Sequence, residues 1–169
     1  ISQSQVVPDM EFGVNVSRAV TRLKSIFMTF LGTNTSQQGV IKDFNNLWHP
    51  MSVADGAYDN IFELDIQVQI GSKLYPEYPI RSVSEAFSQL RKTVGIHQTP
   101  FHSVDITPTQ YRDRKFICAI DTEKVLDAGF TGLNTRAGDL MTIKVKPVNS
   151  GGMGTTKATK FFTVLHSDN

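Results

Sequence analysis

The stretch "FELDIQVQI", residues 62 to 70, constrains the fold of this chain more than any other. Phe62, Leu64, Ile66, Val68 and Ile70 are apolar, and Glu63, Asp65, Gln67 and Gln69 between them are polar. Successive side chains of a strand point to opposite faces, so a period of two makes one dry face and one wet face. A half-buried strand needs neighbours to pair with and a second layer to cover its dry side. The remaining sequence therefore has to supply a sheet and a cover.

Other segments repeat the pattern. An extended region is expected within residues 10 to 31, where Ile26, Met28 and Phe30 share one face and Ser25, Phe27, Thr29 and Leu31 the other. In "DLMTIKVKPV", Met141, Ile143 and Val145 turn inward, with Thr142, Lys144 and Lys146 outward. "FICAIDT", residues 116 to 122, is apolar at both parities and reads as a central strand buried on both sides. "KLY" after Gly71-Ser72 reads as a short return strand, and "KFFTVLH" as the last strand. The total is six to eight short strands.

The link between strand and helix is "YPEYP", residues 75 to 79. Pro76 and Pro79 lack N–H donors and hold their neighbours extended, which predicts a stiff corner. Ser82 then suits an N-cap, and Glu85 three residues later completes a capping box. Val83, Ala86, Phe87, Leu90 and Val94 fall at helical spacing, and Gly95 suits the residue after the helix. Residues 96 to 115 carry two prolines and no clean period, so they are expected to run irregularly over the surface. "GTNTSQQG" and "VNSGGMGTTKAT" read as loops.

Strands joined by long irregular loops favour an antiparallel sandwich over alternating βαβ units. The expected fold is all-β, an antiparallel jelly-roll sandwich with one short helix after the Tyr-Pro-Glu-Tyr-Pro corner. Residues 1–20 are expected to be an N-terminal segment or linker, and 21–169 the domain.

Composition narrows the function. With 169 residues, 40% hydrophobic and 20% charged, the chain can bury one full core. A formal net charge of +1 argues against a protein that grips nucleic acid through a broad basic surface. The single cysteine, Cys118, excludes an internal disulfide framework and suits a small buried hydrophobe. No segment reaches the length of a membrane span. The chain starts at Ile1 and stops close behind a strand, so it is expected to be a piece of a longer polypeptide. Asn15 and Asn34 stand in glycosylation sequons, a tripeptide pattern common by chance.

Chemistry-bearing residues are sparse. His49, His97, His102 and His166 form no metal-binding spacing. Asp121 and Glu123, two apart, share a strand face and could hold a cation or exchange protons, but solvated charges at a strand exit explain them better. "GGMG" at 151 to 154 lacks the Lys and the helix of a phosphate-binding loop. Tyr75, Pro76, Tyr78 and Pro79 suit either a glycan platform or corner packing, and the capped helix that follows favours the corner. The expectation is a non-enzymatic protein without cofactor or metal.

Residues 116 to 169, with the acidic "DTEKV", the loop "TGLNTRAGD", an alternating strand and a closing "VLHSDN", resemble the last strands of double jelly-roll major capsid proteins. "RLKSIFMTF" at 22 to 30 and "LYPEYPIRSVSEAFSQLRKTVG" at 74 to 95 resemble the same family, as it occurs in Polinton-type elements, virophages and related eukaryotic DNA viruses. The resemblance spans most of the chain from about residue 20. It implies a subunit that forms homotrimeric, pseudo-hexameric capsomers and contacts neighbouring capsomers and other capsid proteins. It implies no sequence-specific nucleic-acid binding, and a place in the virion capsid after assembly inside the host cell. Subunits of that family carry two jelly rolls and are several times longer, so this chain would be one roll, the C-terminal one. Tyr75, Pro76, Tyr78, Pro79 and Phe87 are then the candidate assembly and corner residues. The alternative is a soluble jelly-roll carbohydrate-binding module; a jelly-roll enzyme using Asp121 and Glu123 ranks third.

Overall fold

The computed structural model describes residues 2–5, 11–18, 20–32, 47, 49, 63–95, 104–122, 140–148 and 158–168. Eight strands and two helices follow in the order β1 (Ser2–Gln5), β2 (Phe12–Val16), β3 (Arg22–Gly32), β4 (Glu63–Ile70), β5 (Lys73–Ile80), α1 (Val83–Val94), α2 (Pro108–Arg114), β6 (Ile117–Asp121), β7 (Met141–Val148) and β8 (Ala158–Asp168). They form two four-stranded antiparallel sheets, ordered β1-β8-β3-β6 and β2-β7-β4-β5. The pairing is nested. First strand meets last, second meets seventh, third meets sixth, and fourth meets fifth.

The alternation of β4 survives intact: Leu64, Ile66, Val68 and Ile70 are buried, and the four polar residues between them are half-exposed. Phe62 lies outside the described residues. On β3, Ile26 stands opposite Ile120 and Met28 opposite Cys118, and all four join one core with Val14, Val16, Ile143 and Val145 of the other sheet. Rings cross that core in a chain. Phe12 of the second sheet meets Phe161 of the first edge-on at 5.7 Å. Phe161 meets Phe30 at 5.1 Å, Phe30 stacks on Phe116 at 6.3 Å, and Phe116 meets Tyr111 of α2 at 5.5 Å. Tyr111 in turn meets Phe87 of α1 at 4.8 Å. Such offset and edge-on pairs add to the area they bury.

Helix α1 starts where its sequence says. The Ser82 hydroxyl accepts from the Glu85 N–H at 3.1 Å, and Gly95 adopts a left-handed φ of 78° with its N–H on the carbonyls of Arg91 and Lys92. The return bond of the cap departs from the expected box, because the Glu85 carboxylate accepts from the N–H of Arg81, one residue earlier. Ala86 and Leu90 enter the core, and the helix packs against β6.

Three expectations change. "FICAIDT" is the edge strand β6, not a central one; α1 covers it, and that cover explains why both parities are apolar. Residues 2–5 and 12–16, placed in a leading segment, supply β1 and β2 and so belong to the two sheets. Residues 108–114, expected to be irregular, form α2. Thr107 and Gln110 exchange side-chain-to-backbone bonds in a full capping box, with Pro108 as the first helical residue.

Among the described residues, one buried side-chain polar atom has no partner, the hydroxyl of Thr163, which faces Met28 across β8 and β3. A buried hydroxyl without a hydrogen bond costs about 1–3 kcal/mol, and valine has the same shape without it. Thr163→Val is expected to stabilise the fold by about 1 kcal/mol. An increase in the denaturant midpoint at constant slope checks it; a loss of stability would show that the hydroxyl has a partner.

Candidate functional site

The largest break in register among the described strand pairs lies in the middle of β5. Ile66 pairs with Ile80, and Val68 pairs with Tyr75, so the four residues 76 to 79 stand opposite Gln67 alone. They leave the ladder as a wide bulge. Prolines are tolerated there because β5 is an edge strand and the ladder is already interrupted. The Tyr75–Pro76 peptide is cis. The Gln67 side-chain amide replaces the lost ladder bonds: its nitrogen donates to the carbonyls of Pro76 at 2.9 Å and Glu77 at 3.2 Å.

The bulge sorts the five candidate residues. Tyr75 packs against the core and is half-buried, as are Pro76 and Pro79. Phe87 also packs against the core, on Tyr111, with the Arg91 guanidinium 5.9 Å above its ring. Tyr78 stands apart from all of them, 81% exposed at the bulge. It does not brace the helix. The strand-to-helix junction is held instead by Arg81, whose guanidinium donates to both carboxylate oxygens of Asp65 at 2.7 and 3.1 Å, with Glu63 3.8 Å away. The Asp65 hydrogen bond, and then its charge, raise the Arg81 pKa. The pair is solvent-exposed, so its value lies in geometry more than in energy.

Sequence reasoning missed Gln67, Arg81 with Asp65, and Tyr111. The polar parity of β4 exposed Gln67 and Asp65 as wet-face residues, but their partners are ten and sixteen residues away and leave no local trace.

The residues weighed for chemistry are dispersed. Asp121 is half-buried in β6, and Glu123, His97, His102 and the "GGMG" run lie outside the described residues. His166 is exposed, its Nδ1 3.3 Å from the Ser25 hydroxyl. His49 is buried edge-on to Phe116 at 4.5 Å, and burial pushes its pKa down to about 3. Burial, with a smaller contribution from Glu85, pushes the Cys118 thiol up to about 12, so it stays protonated and inert. Desolvation likewise raises the Tyr111 phenol, whose hydroxyl donates to the carbonyl of Ile117 at 2.6 Å. Among the described residues no group of three His, Cys, Asp or Glu could hold a metal ion, and no helix is long and apolar enough to cross a membrane.

Comparison with family models, curated proteins and solved structures finds no match. Function has to be argued from the strand order and the surface.

Proposed function

We propose that this chain is a jelly-roll domain of a major capsid protein, which associates with copies of itself into trimeric, pseudo-hexameric capsomers of an icosahedral shell. The nested strand pairing carries the proposal. A long hairpin folded over on itself would produce that order, and viral capsid and lectin domains use a wrapped double sheet of that kind, which supports the reading. Fold alone does not give function. The sequence likeness to double jelly-roll capsid proteins favours the shell protein. In this proposal Tyr75, Pro76, Pro79 and Phe87 shape the corner, and Tyr78 is the residue available to a neighbour. The domain would act in the virion capsid after assembly in the host cell, needing no cofactor.

Tyr78 also supports a second reading, a soluble carbohydrate-binding module, because an exposed ring on a fixed bulge is a stacking platform for sugars. Light scattering on the purified chain separates the two. The capsid proposal expects a mass three times that of one chain. A monomer that binds glycans through Tyr78 would replace it with the second reading.

A further inference from the structure

We draw no further inference here: the strongest candidate, the apolar surface patch of Phe27, Phe162 and Val164 on the outer face of β3 and β8, carries nothing, because nothing in the structure shows what covers it.

Discussion

Phe161→Ala is expected to destabilise the protein by about 3–5 kcal/mol, the range for removing a fully buried aromatic ring. Phe161 is entirely buried on β8, and its ring touches Phe30 on its own sheet and Phe12 on the facing one. Truncation would therefore open a cavity at the point where the two sheets meet, and it would cut the row of rings that runs on to Tyr111 and Phe87. The neighbouring Phe162 lies at the other parity and is half-exposed. Phe162→Ala is expected to cost about 1 kcal/mol, in the ordinary range for a partly exposed position. Urea unfolding of both variants measures the contrast. Equal losses would mean that parity on β8 does not decide which ring is inside, and the sandwich would be wrong.

The second large effect is a loss of stability in acid that depends on His49. This imidazole sits against the Phe116 ring, buried and neutral, with a folded pKa lowered by burial from 6.5 to about 3. Between these values the unfolded chain binds a proton at His49 that the folded chain does not. The unfolded state therefore gains as pH falls, and stability drops through the window from about pH 6.5 toward pH 3. At pH 4 the contribution comes to about 3 kcal/mol relative to neutral pH, at 1.36 kcal/mol per pKa unit. His49→Gln keeps a polar side chain of similar reach but cannot take a proton. It is expected to lower stability at pH 7 and to flatten the acid slope by about that amount. A wild-type and a variant profile that run parallel from pH 7 to pH 4 would place the imidazole in contact with solvent.

The sequence revealed what depends on local rules. The period of β4 and β7, the inward parity of Ile26, Met28 and Phe30, and both ends of α1 follow from alternation and capping chemistry, which act within a few residues. What it concealed depends on partners far along the chain. "FICAIDT" announced burial on two sides, but could not say that a helix rather than a strand covers one of them. The prolines at 76 and 79 announced an interruption. Whether it would be a corner or a bulge was decided by Gln67, nine residues from the nearer carbonyl that its amide holds. Helix α2 was legible in principle, since Thr-Pro-Thr-Gln is a capping box with proline at the first position. It is two turns long and buries mainly Tyr111, so it shows no apolar period to notice. Strands β1 and β2 are four and five residues long, too short for alternation to stand out, and their places come from pairing with β8 and β7 at the far end of the chain.

Everything proposed for function rests on that long-range pairing, and cross-strand proton contacts measured by NMR test it most directly. The nested order places Ser4 opposite Phe161 and Gln3 opposite Phe162, and Val14 opposite Ile143 and Asn15 opposite Thr142. Backbone contacts between those residues, with none between β1 and β2, are the expected result. A simple hairpin of β1 on β2, as in a meander of sequence neighbours, would contradict the nested order and remove the ground for a capsid role.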